Sequence, residues 1–381
     1  MTRGRRKRGM RGAGTVFLRA DGRWEAKFKV EETGKFKSLY GKTEKEAYEK
    51  LQKALQEQKQ GILATGPQQK VGDFLNRWLE EVQHPKIEDS TYVTYRTYLD
   101  VHVLPALGHI QLQKLTPQHV QSFYTRLPKE GLALSTVKNI HSLLHGALDN
   151  AVRWNLVSRN VCDIVSPPSS EKHEARFLTP DEARRLLEAV KGHRLEALIT
   201  LALATGMRRG ELLGLRWQDI DLEKHRLQVR RSMRRLGRGY GVKASGGKTP
   251  KSRRLIVLPN FVVKVLIQHR ELQVAARQLK GDAWEENGLV FPNGYGRFLD
   301  QGQLHVMFHK VLKKAGLPDI RFHELRHSAA SFLLSMGVHP KVVQEIPGHS
   351  TISMTLDTYS HVLPSMQQEA MDKMDDFFKE T

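Results

Sequence analysis

The sequence predicts a multidomain protein, mainly α-helical with small β elements: a three-stranded sheet plus a helix, then a helical bundle, then a mixed α+β domain. Three observations carry this. At 381 residues the chain exceeds one typical domain and fits two or three. Period-two alternation dominates only in the first forty residues, and helical periodicity takes over from about residue 70. Two stretches have linker composition, 63–69 around Gly66-Pro67 and 166–175 opening with Ser166-Pro167-Pro168-Ser169-Ser170. The expected divisions are a basic tail over 1–11 and domains over 12–62, 70–165 and 176–381.

Arg3, Arg5, Arg6, Lys7, Arg8 and Arg11 form a block without one acid, expected to be an arm that orders on meeting phosphate. Trp24, Ala26, Phe28 and Val30 then alternate with Glu25, Lys27 and Lys29, after a tight turn at Asp21-Gly22. A second turn at Thr33-Gly34 leads to a strand over 36–40. Thr43 and Glu46 make a capping box for a helix with Ala47, Leu51, Ala54 and Leu55 on one side. In the bundle, Phe74, Leu75, Trp78, Leu79 and Val82 fit one helix, and Tyr92, Tyr95, Leu99 and Val103 fit a second. Thr116-Pro117 caps another, and Ser135 opens the helix that carries Ile140, Leu143, Leu144, Ala147, Leu148 and Ala151.

In the last domain Thr179, Pro180 and Glu182 combine an N-cap, an N1 proline and a capping box. The run Leu198 to Leu203 is apolar apart from Thr200 and is therefore expected to be buried, which delivers Arg208 to a fixed place at its end. Thr205 and Gly206 are expected to open the helix holding Arg208 and Glu211. Arg226 to Arg231 and Leu255 to Leu258 read as strands flanking a long basic hairpin that includes Lys248 and Lys251. Beyond Tyr359, the residues Leu363, Met366, Ala370, Met371, Met374 and Phe377 give a helix with one apolar stripe, which must dock on its own domain or on a neighbour.

Sixty-one Lys and Arg against forty-one Asp and Glu leave a formal charge of +20, which points to a polyanionic partner, nucleic acid before membrane. No apolar run approaches the roughly 18 residues a membrane span needs, so no membrane partner is expected. The basic start has no apolar stretch after it and is not a secretory signal, so the protein is expected in the cytosol. A single cysteine, Cys162, excludes an intramolecular disulfide framework and a Cys-based metal site. No metal site is expected among the seventeen histidines.

The chemistry concentrates in His323-Glu324-Leu325-Arg326-His327 and in the stretch from Pro347 to Tyr359. On a helix, His323 and Arg326 share a face and can reach one anion together. His349 and Tyr359 add an imidazole and a phenol, and a phenol can serve as a nucleophile. With the Thr205 to Leu215 box, the His323 to Arg326 box, the Gly348-His349-Ser350 box and the terminal tyrosine in order, the chain resembles the tyrosine recombinase (phage integrase) family. The N-terminal pattern is similar to the arm-binding domain of lambda-type integrases, and the bundle to their core-binding domain. One departure from the family is Pro347, which stands where leucine is common and removes a backbone donor beside His349.

The resemblance implies a catalytic domain of the tyrosine recombinase type and a 3′-phosphotyrosyl intermediate, with integration and excision of a phage or mobile element. Tyr359 would be the nucleophile. Arg208 and Arg326 would hold the phosphate, His323 would take or relay the tyrosyl proton, and His349 would donate to a phosphate oxygen. Lys248, with Lys251 as the alternative, would protonate the leaving 5′ oxygen, and Glu211 would support the cluster. No cofactor is implied. The implied partners are double-stranded DNA at core and arm attachment sites, three further copies in a homotetramer, and an accessory DNA-bending or excision-directing protein; Arg3, Arg5, Arg6, Lys7, Arg8, Lys27, Lys29 and Lys251 are the candidate DNA contacts. A Xer-like resolvase, a type IB topoisomerase-like enzyme and a non-enzymatic DNA-binding regulator are the rival readings.

Overall fold

The computed structural model describes residues 14–31, 34–59, 67–169, 176–237, 241–246, 254–348, 371–372 and 374. The chain is multidomain and mainly α-helical with small antiparallel sheets, and it divides into two compact units, 1–172 and 173–381.

In the first unit β1 (Thr15–Leu18), β2 (Trp24–Lys29) and β3 (Phe36–Gly41) form an antiparallel sheet with β2 in the middle. The register Ala26↔Leu39 and Phe28↔Lys37 turns Ala26 and Phe28 to one face. There they pack with Ala47, Leu51 and Ala54 of α1 (Glu44–Lys59). Lys27 and Lys29 are exposed, and Lys27 Nζ lies 5.3 Å from the centre of the Phe36 ring. Glu25 breaks the simple alternation, because Arg19 Nη1 (2.8 Å) and Ser38 Oγ (2.6 Å) donate to its carboxylate and let it be buried. Thr43 Oγ1 accepts from Glu46 N at 3.2 Å, while the Glu46 carboxylate reaches one residue further back, to Lys42 N.

The bundle contains α2 (Val71–Arg77), α3 (Asp89–Tyr98), α4 (Leu104–Leu107), α5 (Pro117–Lys129) and α6 (Leu134–Arg153). The first two expected helices are not purely α: α2 runs into a π-helical turn over Trp78–Gln83, and α3 into another over Leu99–Val103. Apolar spacing does not separate the two because both keep Trp78, Leu79, Leu99 and Val103 inside. Thr116 caps α5, and His119 Nδ1 completes the box by accepting from Thr116 N at 3.2 Å. Ser135 does not open α6, which starts one residue earlier with no side-chain cap.

The second unit begins with α7 (Pro180–Ala189), where Thr179 and Glu182 cap each other reciprocally, and continues with the buried α8 (Glu196–Thr205) and the short α9 (Arg209–Leu213). Strands β4 (Ile220–Asp221), β5 (Arg226–Val229) and β8 (Arg254–Val257) pair in the order β4-β5-β8. The strand expected over 226–231 stops at Val229; Arg231 instead starts a separate hairpin of β6 (Arg231–Arg235) and β7 (Val242–Gly246). Asp219, 1% exposed, holds that corner by accepting from Arg231 Nη1 at 2.5 Å. Then follow α10 (Asn260–Lys280), α11 (Gln301–Lys314), α12 (Glu324–Ser335) and α13 (Pro340–Glu345). One core joins α8 to the flanking helices and to Leu227, Val229 and Ile256 of the sheet.

The basic block over 3–11, Lys248, Lys251, His349 and Tyr359 lie outside the described residues, as does the tail apart from Met371, Asp372 and Met374, which are helical. Among the described residues no helix is long and apolar enough to cross a membrane.

The small sheet domain rests on a core of Ala26, Phe28, Val30, Ala47, Leu51 and Ala54, with Leu51 only 1% exposed. Leu51→Ala should therefore cost it about 3 kcal/mol. Native-state hydrogen exchange in the full chain should show the β2 amides losing about 10²-fold in protection, with those of α8 unchanged. Equal losses in both would mean that the units do not unfold separately.

Candidate active site

Eight buried positions make α8 a rigid approach, and Thr205 is its last residue rather than the opening of the next helix. Gly206 takes the left-handed cap conformation (φ 60°), which glycine adopts without a Cβ penalty. A Cβ there would also stand 3.2 Å from Cγ of Pro347. Arg208 is thus the extended residue just before α9, not part of a helix, and its N–H donates to Glu211 Oε2 at 2.9 Å.

Glu211 is the node. Besides that N–H, it accepts Arg208 Nη1 at 3.1 Å and a two-pronged contact from Arg254, with Nη1 to Oε1 at 3.1 Å and Nη2 to Oε2 at 2.8 Å. Burial alone would push the carboxyl up. The hydrogen bonds and charge of Arg254, with those of Arg208, reverse this and hold it below the usual carboxylate range.

The C-terminal end of α13 meets the same arginines. Arg254 Nε donates to Ile346 O at 2.8 Å, Arg326 Nη1 to Pro347 O, and Arg208 Nη2 to Gly348 O. Three consecutive carbonyls are each held by a different guanidinium. A helix ends with unsatisfied carbonyls and a partial negative charge, so cations suit it. Arg326, buried in the first turn of α12, also donates to Gly206 O at 2.9 Å and so ties the end of α8 to the end of α13. Pro347 lacks an N–H, as expected, but its carbonyl binds Arg326 and its ring fills the space over Gly206. Gly348 (φ 79°) passes so close that a Cβ would lie 3.0 Å from the Arg254 guanidinium carbon.

His323 precedes α12, with its ring centre 5.2 Å from that of His327. Partial burial first, then the neighbouring His327 and Arg326, push its pKa down to about 4. The ring keeps solvent contact, which screens part of the effect, but these causes act together and leave the imidazole neutral at pH 7.

The structure thus brings together Arg208, Glu211 and Arg326 of the expected set, with His323 just before the helix that holds Arg326. It adds Arg254, which the sequence reading passed over. The signal available was an arginine opening the strand after the lysine-bearing segment, but Arg253 beside it leaves spacing unable to choose. Arg209 turns away to Gln301 Oε1. Three guanidiniums against one carboxylate suit an anion, and Arg208 keeps N–H groups uncommitted among the described residues. A separate group, His145 with Asp149 and Asp163, belongs to the first unit; there the imidazole lies between the two carboxylates at 3.3 and 2.8 Å.

Because the folded-state pKa of Glu211 is depressed, its stabilising contribution is present above about 4.3 and is lost as pH falls through the folded value. Glu211→Gln should cost about 3 kcal/mol at pH 7, a buried ion pair being broken. Urea unfolding at pH 7 and pH 3 should show that difference shrinking at the lower pH. A constant difference would mean that shape, not charge, makes Glu211 matter.

Residues 176–366 match the phage integrase family model, and residues 70–127 match the phage integrase N-terminal SAM-like domain. A tyrosine recombinase XerC-like protein of Caldanaerobacter subterraneus subsp. tengcongensis is 32% identical over 91% of this chain and 94% of its own length. An integrase of Streptomyces ambofaciens is 31% identical over 89% of this chain and 88% of its own. In fold, the Tn1549 transposon integrase in complex with transposon right end DNA superposes with a TM-score of 0.65 at 21% identity, over 81% of this chain and all (100%) of that one. A lambda integrase dimer bound to a core site gives 0.57 at 18% identity, over 90% of this chain and 94% of that one. With the arginine cluster and these relatives in agreement, the chain belongs to the phage integrase family and is a tyrosine-type site-specific recombinase.

Proposed function

We propose that this recombinase is the integrase of a phage or other mobile element in a bacterial host, working at the nucleoid through a 3′-phosphotyrosyl link formed by Tyr359. The observation that carries this reading is the cationic cluster in which Arg208 and Arg254 share the Glu211 carboxylate and Arg326 binds the adjoining carbonyls of Gly206 and Pro347. In the chain it adjoins the two segments that hold the reactive lysine and tyrosine: Arg254 follows Lys251 by three residues, and Gly348 directly precedes His349.

Tyr359 Oη attacks the scissile phosphorus, a P–Oη bond forms and the P–O5′ bond breaks. Its proton passes to the neutral His323 ring. Lys248, or Lys251 in its place, gives a proton to the leaving 5′ oxygen. Arg208 and Arg326 face the non-bridging oxygens, where planar guanidinium donors gain most as charge builds up, and His349 adds a further donor. Attack by the 5′ hydroxyl of the partner strand returns the bond and restores the tyrosine.

Residues 12–62 serve as the arm-type DNA-binding domain, with Lys27 and Lys29 on its open face and Arg3, Arg5, Arg6, Lys7 and Arg8 ahead of it. Residues 70–165 bind the core site and 176–381 carry out the reaction. A homotetramer assembles on two duplexes, as a lambda integrase tetramer does on a Holliday junction, and an accessory bending or excision-directing protein sets direction. The tail beyond Tyr359 docks in cis or in trans.

Two measurements test the chemistry. On a nicked suicide substrate the parent protein should form a covalent adduct stable to detergent, while Tyr359→Phe binds the same DNA and forms none; an adduct with the variant would move the nucleophile elsewhere. For His323, NMR titration should give a midpoint near 4, well below the unperturbed value of about 6.5. Because its folded-state value is depressed, stability is intact above about 6.5 and erodes as pH falls from there towards the folded value. Adduct formation should accordingly not drop between about pH 7.5 and about 5.5, one unit either side of the ordinary histidine value of about 6.5. A drop centred on the unperturbed value would remove His323 as the neutral proton acceptor.

A further inference from the structure

We infer that Arg254 is a positioning residue for the strand-cleavage reaction, acting through Glu211 and Ile346 to hold Arg208 and Arg326 in phosphate-binding geometry. The inference rests on the proposed reading of the site and names the residue that aligns it.

Arg254 opens β8, and its side chain is 11% exposed. It binds Glu211, which also binds Arg208, and Ile346, the residue just before the two whose carbonyls hold Arg326 and Arg208. Nη1 and Nη2 take one oxygen each of Glu211, and Nε takes Ile346 O. Both Glu211 oxygens also contact Arg208, one through its N–H and the other through Nη1. If the fork is removed, a buried carboxylate faces Arg208 alone and draws the guanidinium inward as its sole ion-pair partner. On the other side Ile346 O loses its donor, and the two carbonyls that follow it, those of Pro347 and Gly348, are the ones that hold Arg326 and Arg208. One side chain therefore sets both arginines without facing the phosphate itself. The chain makes room for it at Gly348, where a Cβ would sit 3.0 Å from Cζ and Nη1. Lysine cannot replace it, since a single ammonium cannot span Glu211 and Ile346 O with the same fixed fork.

The test compares Arg254→Gln and Arg254→Lys with the parent in full-length protein, on nicked substrates carrying either the natural phosphodiester or a methylphosphonate at the scissile position. The methylphosphonate lacks the charged non-bridging oxygen, so it depends less on aligned guanidiniums. With saturating protein, Arg254→Gln should form adduct about 10²-fold more slowly on the phosphodiester, with DNA affinity unchanged. On the methylphosphonate its deficit against the parent should shrink to a few-fold, and Arg254→Lys should fall between parent and Gln variant on the natural substrate. An equal deficit on both substrates would overturn the inference and leave Arg254 a scaffold residue; no deficit on either would also overturn it. If Arg254→Gln fails to fold by circular dichroism, the Lys variant is judged by the same comparison. Failure of the parent itself to form adduct on the phosphodiester would defeat the recombinase chemistry at this site, a result distinct from any of these.

Discussion

The catalytic unit depends on how the carbonyl-rich end of α13 is satisfied. Ile346, Pro347 and Gly348 offer three successive acceptors, and three arginines from separate parts of the chain supply the donors. Each partner solves the other's problem. Helix-end carbonyls need donors once buried, and guanidiniums packed together need acceptors that relieve their mutual repulsion. Glu211 is the carboxylate that Arg208 and Arg254 share, one negative charge for two guanidiniums. Arginine suits every position because its planar fork can bind two acceptors at fixed angles while presenting its remaining N–H groups elsewhere.

Much of this was legible beforehand, for local reasons. Thr179 with Glu182 and Thr116 with Pro117 announce helix starts because an N-cap and its partner lie within three residues of each other. The run Leu198 to Leu203 announces burial because only Thr200 interrupts its apolar residues. What escaped was non-local or conformational. Thr205-Gly206 carries the signal of a helix end as much as a start, and only the left-handed φ of Gly206 decides between them. Arg254 looks like any arginine near a basic hairpin until Glu211 and Ile346, 43 and 92 residues away, are seen beside it. The break between Val229 and Arg231 depends on the buried Asp219, and the π-helical turns keep the same residues inside that an α-helix would.

The sheet domain shows a different economy. Its buried face is small, so its outer face carries charge on apolar supports: Lys27 lies over Phe36, and Arg19 and Arg23 lie 5.6 and 5.7 Å from the centre of the Tyr40 ring. Such pairs keep cations at fixed spacing on a surface that a strand pattern alone would leave loosely arranged.

The arginine cluster is also assembled from residues far apart in the chain: Arg208 meets Gly348 across 140 residues, Arg326 meets Gly206 across 120, and Arg254 meets Ile346 across 92. Contacts of such separation close late in folding, because the loop entropy is spent before they form. During synthesis the constraint is absolute. A ribosome-bound chain that has exposed α8 and β8 but not yet residue 348 holds its arginines without their carbonyl partners. The cluster is thus completed only once the C-terminal part of the protein has been made, and a chain that stops before residue 346 lacks these carbonyl acceptors of all three arginines.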